Sequence, residues 1–458
     1  MKKTGMNRRQ FLARSIQAAV AGSSLTATLG QFNLVNAMVP DVSDYKALVC
    51  VFLFGGNDSY NLVFPADGPE YDAYADARQS LAVAPEELVP IAPLTKSGSF
   101  GFHPSAPALA NLFDSGELAI VANVGALVEP VSRNSFKNET SQLPRQLFSH
   151  NDQQKYWQSL NTTGGQVTGW AGRMADLLQD VDGETQLSMN ISIAGSNLWQ
   201  TGSSTIPYSI GVGGVQRLNG LNLGSRGAQQ RRRAQAFHAL LDASPASIFD
   251  QEFATVQKRS IELADLVAEH INNAPALATQ FPDGNPLGNS LSMVARLIAA
   301  RGPLQVKRQT FFVALGGWDT HGEQLERHPI LIDYLSQGLN AFQLALAELG
   351  VSNQVTTFTA SDFGRTLTSN GDGSDHGWGS HQLVIGGTVN GQDIYGRMPV
   401  IEIDGPQDSG RGRIIPSTSI DEMGASLASW FGLGDSELNE AFPNLKNFAP
   451  SDMSFMRL

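Results

Sequence analysis

Hydrophobic and polar positions alternate along this chain in blocks rather than singly. Continuous apolar runs occupy Lys46 to Phe54 (KALVCVFLF), Leu118 to Val124, Leu187 to Ala194, Gln309 to Leu315, and the β-branched stretch that begins at Gln354 and breaks at Ser361-Asp362. Runs of this length with no polar face predict strands covered on both sides, as in a largely parallel sheet. Between them apolar residues recur at helical spacing. Helices are expected over Ala106 to Phe113, in LFSHNDQQKYWQSL (with Ser149, Asn151 or Asp152 as cap), and over Gly169 to Leu178. Others are expected over Gln229 to Leu241, Ser247 to Asn273, the segment ending near Leu349, and Ser419 to Phe431. Strands alternating with helices predict an α/β sandwich, with the region from about 195 to 285 as a helical insertion.

Three of the strands stop at an acidic residue: Asp58, Asp319 and Asp362. In a parallel sheet the carboxyl ends of strands share one edge, so these side chains can meet. The stretch from Gln354 to Gly387 is the richest, because a glycine-rich loop there carries Asp375, His376 and His381. With His321, two residues beyond Asp319, the set Asp58, Asp319, His321, Asp362, His376 and His381 offers oxygen and nitrogen ligands for one or two divalent ions (Zn, Mn or Mg). Each residue also has a plain reading. Asp58 could cap a turn, Asp362 a helix, and the histidines could be solvated. His103, His150, His238, His270 and His328 read mainly as structural, with His150 the exception to watch.

Composition narrows the partners. The 458 residues carry a net charge of −12; a first segment with five cations (Lys2, Lys3, Arg8, Arg9, Arg14) and no acid leaves −17 on the rest. That argues against nucleic acid or an anionic membrane surface as partner. The single cysteine, Cys50, lies inside the first strand and forbids an intrachain disulfide. Asn7-Arg8-Arg9-Gln10-Phe11-Leu12, a weakly apolar stretch and the small-residue end Val35-Asn36-Ala37 resemble a twin-arginine signal peptide over residues 1–37. This predicts engagement of the twin-arginine (Tat) translocase and a periplasmic or secreted product, a basic tail being the other reading. No segment is apolar enough for a stable membrane span.

The motifs GGNDSYN, LPRQLFSHNDQQ, GGWDTHG, SDFGRT and DHGWGSH, in that order, resemble the bacterial domain of unknown function 1501 family, of the alkaline phosphatase and sulfatase superfamily. The resemblance runs from about Lys46 to the C-terminus. It implies a single alkaline phosphatase-like three-layer domain over 46–458, with two metals held by residues corresponding to Asp58, Asp319 with His321, Asp362, and His376 or His381. Two departures stand out: Asp362 is followed by Phe363 where the superfamily commonly has His, and Cys50 lies in no sulfatase cysteine motif, which argues against a formylglycine enzyme. Ser149, at a helix start, is the candidate nucleophile, with an ordinary N-cap as its alternative. Arg365 is the candidate clamp for an anionic substrate, or else the partner of an acid. The expected function is an exported, metal-dependent hydrolase of phosphate or sulfate esters, on small molecules or polymers. The alternative is a non-catalytic envelope or secreted binding protein that retains the fold.

Overall fold

A computed structural model describes residues 44–458 except 162–166, 183–186, 216–220, 222, 225, 244–246, 450–452 and 458. The leader expected over residues 1–37 lies outside the described residues. Among the described residues there are fourteen strands: β1 (Lys46–Phe54), β2 (Val63–Pro65), β3 (Val89–Ile91), β4 (Phe100–Phe102), β5 (Leu118–Gly125), β6 (Asn190–Ser192), β7 (Tyr208–Ser209), β8 (Arg308–Gly316), β9 (Val355–Ser361), β10 (Arg365–Ser369), β11 (Ser374–His376), β12 (Ser380–Ile385), β13 (Asp393–Tyr395) and β14 (Thr418–Ser419). Nine of them form the main sheet, in the order β13-β5-β12-β9-β1-β8-β6-β7, with β14 also paired to β5. Only β12 runs against the others, pairing antiparallel with both β5 and β9. β2, β4 and β3 make a small separate sheet.

The sheet is sandwiched, as the unbroken apolar runs require. Along β1 the pleat sends Ala47, Val49, Val51 and Leu53 into one core and Leu48, Cys50 and Phe52 into another. The first core is covered by helices Pro107–Asp114, Pro286–Ala299 and Gln324–Glu348, the second by His150–Ser159, Trp170–Leu177 and Ile420–Phe431. The three-layer α/β architecture expected from the sequence is therefore present. The last helix is capped as its sequence predicts: Ser419 Oγ accepts from the Glu422 amide at 3.0 Å, and the Glu422 carboxylate accepts from the Ser419 amide at 2.8 Å. Among the described residues no helix is long and apolar enough to cross a membrane.

Two local expectations differ from what is found. The strand expected over Leu187 to Ala194 is regular only at Asn190–Ser192. In the helix Ile248–Asn273, Val267 and Ile271 enter the core, whereas Phe249 (83% exposed), Phe253 and Val256 do not. Helical spacing identified the helix there, but which turns meet the body depends on where the helix docks.

β9, β1 and β8 are adjacent and parallel, with Leu53 opposite Ser361 and Phe54 opposite Gly316, so their carboxyl ends are level. The segments bearing Asp58, Asp319 and Asp362 leave the sheet side by side. Ser361 ties two of them together: its hydroxyl donates to Leu53 O at 2.7 Å and accepts from the Asn57 amide at 2.8 Å.

Candidate metal centre

Three imidazoles surround Asp319. His150 opens the helix His150–Ser159, His321 follows β8, and His376 ends β11. The supposed glycine-rich loop is in fact a β10–β11 hairpin, in which Arg365 faces His376. Glycines at its bends allow close approaches: a Cβ on Gly373 would stand 2.2 Å from Thr320 O.

Each imidazole is held at Nδ1 by a group that can only accept. His150 Nδ1 is 2.6 Å from Asp362 Oδ2, His321 Nδ1 is 3.1 Å from Asp375 Oδ1, and His376 Nδ1 is 2.7 Å from Phe148 O. A carbonyl or an ionised carboxylate requires the ring proton at Nδ1, so in their neutral form the three rings present bare Nε2 lone pairs. Those lone pairs converge: Nε2 of His321 and His376 lie 3.1 and 3.3 Å from Asp319 Oδ1, Nε2 of His150 lies 3.4 Å from Oδ2, and the Nε2 atoms of His321 and His376 are 2.8 Å apart. Nitrogen lone pairs facing each other and a carboxylate repel unless a cation is shared among them. One donor atom from each of His150, Asp319 and His376 falls within 4.8 Å of the others. Imidazole nitrogens and a carboxylate, with the far ring nitrogens anchored, are a donor set and outer support that could hold a divalent ion.

Electrostatics hold the His376 ring neutral, the form in which an imidazole ligates a metal. Burial lowers the pKa of this ring; the bond to Phe148 O opposes the shift, while His150 and Arg365 add to it. For Asp319, burial raises the pKa, but the Arg365 hydrogen bond and charge outweigh it and hold the carboxyl ionised below its usual range. His150 is raised, chiefly by its bond to Asp362. The loop entering its helix is strained: Phe148 has φ +72° and Gln146 φ +48°, a region costing a non-glycine residue about 1–2 kcal/mol. That strain presents the Phe148 carbonyl to His376.

The remaining candidates stand at different removes. Asp362 is one step back, accepting from His150 and from Gln154 Nε2 at 2.8 Å, while its buried Oδ1 has no hydrogen-bond partner among the described residues. Neither capping role suggested for the acids applies: no helix starts at Asp362, and the Asp58 side chain caps nothing. Asp58 is fully buried in an ion pair with Arg78 and also accepts from Gln324 Nε2. It reaches the centre only through a chain, because Gln324 Oε1 accepts from Ser374 Oγ at 2.6 Å and Ser374 Oγ accepts from Arg365. His381 lies inside β12 rather than in a loop; its Nδ1 accepts from the Asn123 amide at 3.1 Å and its ring meets Tyr60.

Arg365 is fully buried and committed to Asp319 (2.8 Å), Gly55 O and Ser374. Of the two readings left open for it, the structure places it with an acid rather than free to clamp a substrate. Ser149 is the N-terminal boundary of its helix but does not cap it; its hydroxyl donates to Asp152 Oδ2 at 2.8 Å. Phe363 supplies a wall rather than a ligand, its ring 4.9 Å from that of His150 and 4.7 Å from that of His376.

His150 and Asp375 thus belong to the centre although neither was among the six candidate ligands. The cue for His150 was its position in SHNDQQ, and for Asp375 its place beside His376. Arg78 gave no cue, since a cation at the end of a surface helix usually faces water.

Gly55 is where β1 must pass Asp319. It has φ +120°, and a Cβ there would stand 2.3 Å from the Asp319 amide nitrogen. Gly55→Ala is expected to displace Asp319 and weaken metal uptake by at least about 10-fold, the scale seen when a supporting contact is lost. Titration with zinc against a chromogenic chelator measures this, and unchanged affinity would show that the close approach does not position the acid.

Among solved structures, Ps i-CgsB bound to k-i-k-neocarrahexaose is 10% identical, with 88% of this chain and 77% of that one covered and a TM-score of 0.34. The lipoteichoic acid synthase LtaP from Listeria monocytogenes is 10% identical (86% and 75% covered, TM-score 0.31), and the PsFucS1 sulfatase from Pseudoalteromonas sp. is 10% identical (93% and 72%, TM-score 0.32). No functionally curated protein matches. A family model described as "Protein of unknown function (DUF1501)" matches residues 45–409.

Proposed function

This chain belongs to the DUF1501 family, which brings no activity with it, and we propose from its own centre that it is a metal-dependent hydrolase of phosphate or sulfate esters, exported by the twin-arginine route. The observation that carries the reading is the convergence of three Nδ1-anchored imidazoles on Asp319. His150, Asp319 and His376 would hold the ion, with His321 completing the set on the open side. A divalent ion bound there supplies Lewis acidity, polarising an ester oxygen and stabilising charge on it.

The protein's own groups do the rest. Ser149 precedes His150 and follows Phe148, whose carbonyl holds His376, so the helix N-terminus faces the centre with amides suited to anionic oxygens. In the proposed step Ser149 Oγ forms a bond to phosphorus or sulfur as its proton passes to Asp152, the leaving oxygen departs with the bridging electron pair and takes that proton, and water then cleaves the seryl ester, releasing phosphate or sulfate and restoring Ser149. Phe363 keeps water from one side of the imidazoles.

The test couples elemental mass spectrometry of the purified mature chain to a panel of aryl phosphate and sulfate esters. One to two equivalents of divalent metal and saturable hydrolysis are expected, with Ser149→Ala lowering kcat by about 100-fold or more, the effect of losing an activated nucleophile. A Ser149→Ala variant at full rate would reassign attack to water. A metal-loaded protein that cleaves no ester would favour the binding-protein alternative, which the tie of Ser149 to Asp152 also allows.

A further inference from the structure

Three arginines adjoin the centre, and two are spent. Arg78 bonds through Nε to Asn61, through Nη1 to Thr366 O and Leu367 O, and through Nη2 to Asp58. Arg365 is equally occupied, with Nε on Ser374 Oγ, Nη1 on Asp319 and Gly55 O, and Nη2 on Ser374 O. Both are buried. Arg413 differs. Its Nε donates to His376 O at 3.0 Å and its guanidinium lies over the Phe148 ring, 4.1 Å from the centroid.

Those two contacts fix the plane of the guanidinium against the two residues that are themselves joined by the His376 Nδ1 to Phe148 O bond. Its Nη1 and Nη2 have no hydrogen-bond or ion-pair partner among the described residues, and the side chain is only half-buried. Asp375 and Asp408 act on it only at a distance, and Arg411, exposed two residues away, adds positive charge on the same rim. A guanidinium clamped by its Nε edge and one face, with the other two nitrogens open, is pre-organised to meet a pair of terminal oxygens on one anion. A cation left unpaired in a protein of net charge −12 is itself a departure from the general balance.

We propose that Arg413, not Arg365, recognises the anion at this centre, gripping two terminal oxygens of the substrate's phosphate or sulfate group through its open nitrogens. The proposal rests on the metal-dependent ester reading and names the residue that gives that site its preference for an anionic ester over a neutral one. Arg413 binds the substrate and transfers no proton.

The test is calorimetric titration of metal-loaded protein with inorganic phosphate and, separately, with inorganic sulfate. Wild type, Arg413→Gln, Arg413→Lys and, as a control for general charge, Arg411→Gln are compared, with metal content measured on every sample. Arg413→Gln is expected to keep its metal and to bind the preferred anion roughly 10- to 100-fold more weakly, the range for losing a charge-assisted hydrogen-bond pair. Arg413→Lys is expected to recover part of that loss, and Arg411→Gln to change affinity by less than about 3-fold, as for an exposed charge.

The anion bound more tightly identifies phosphate or sulfate as the recognised group. Unchanged affinity in a fully metal-loaded Arg413→Gln protein overturns the proposal, as does a metal-loaded wild type that binds neither anion. If the glutamine variant loses metal, the lysine variant decides on the same criteria. A wild type that takes up no metal refutes the metal reading and this inference with it, so the two failures are told apart by the metal measurement.

Discussion

Asp319→Asn is expected to abolish stable metal binding while leaving the protein folded. The carboxylate is the one group approached by all three imidazoles, and the amide keeps its shape while removing its charge. Loss of a single supporting partner around a metal typically weakens affinity by 10- to 100-fold, so loss of the central anionic ligand should exceed about 100-fold, with ester hydrolysis falling in parallel. Stability should change little: Arg365 keeps its bonds to Gly55 and Ser374, and the Asp319 side chain is 43% exposed, so the lost ion pair contributes on the order of 1 kcal/mol after screening.

Asp58→Asn should behave oppositely. Its partner Arg78 is as buried as Asp58 itself, and uncompensating such a charge costs about 3–5 kcal/mol, so melting temperature falls more than metal content does. Zinc titration and thermal unfolding of both variants check this. An Asp319→Asn protein that binds zinc like wild type would refute the metal centre.

A second large effect is expected in acid. Burial holds three histidines outside the centre neutral: His103 and His381 are lowered to about 4 and His328 to about 3. In the unfolded chain each titrates near 6.5. Above that pH neither state carries the protons, and the stability these residues contribute is fully present. As pH falls from 6.5 toward 4 the unfolded chain takes up three protons that the folded chain refuses, and stability is lost. Asp421 works the other way, since burial raises it to about 7 and it favours the folded state as pH falls; Asp182, also raised, acts in the same sense, whereas His376, lowered by burial, adds to the loss.

The balance leaves about two protons, or about 2.7 kcal/mol per pH unit. Against a total stability of about 5–15 kcal/mol, two pH units remove a large part of it. Guanidinium unfolding in the presence of a chelator at pH 6.5, 5.5 and 4.5 measures the slope. His328→Leu should flatten it by about one proton, and a flat wild-type profile would show that these rings are not held neutral.

What the sequence determined by itself was everything that depends on a short stretch of chain. The unbroken apolar runs at Lys46, Leu118 and Gln309 specified covered strands, because a strand with no polar face must be buried on both sides. Acids placed just after such strands specified an edge at which chemistry could gather, and five motifs in order specified the family that the comparison then showed. Ser419, followed three residues later by Glu422, specified its capping box.

The tertiary structure decided which of the gathered side chains face one another. Asp58, Asp319 and Asp362 leave the sheet side by side, yet one is buried with Arg78, one is ringed by imidazoles and one holds His150. That sorting depends on a helix ending at Arg78, a strained turn at Phe148 and a hairpin returning at Asp375, all remote in sequence. His381 shows the same limit, for its place in β12, the antiparallel strand of the main sheet, sends the ring into the interior beside Tyr60. Sequence spacing fixes where a residue leaves its own element; the direction its side chain takes is set by partners that only the assembled fold supplies.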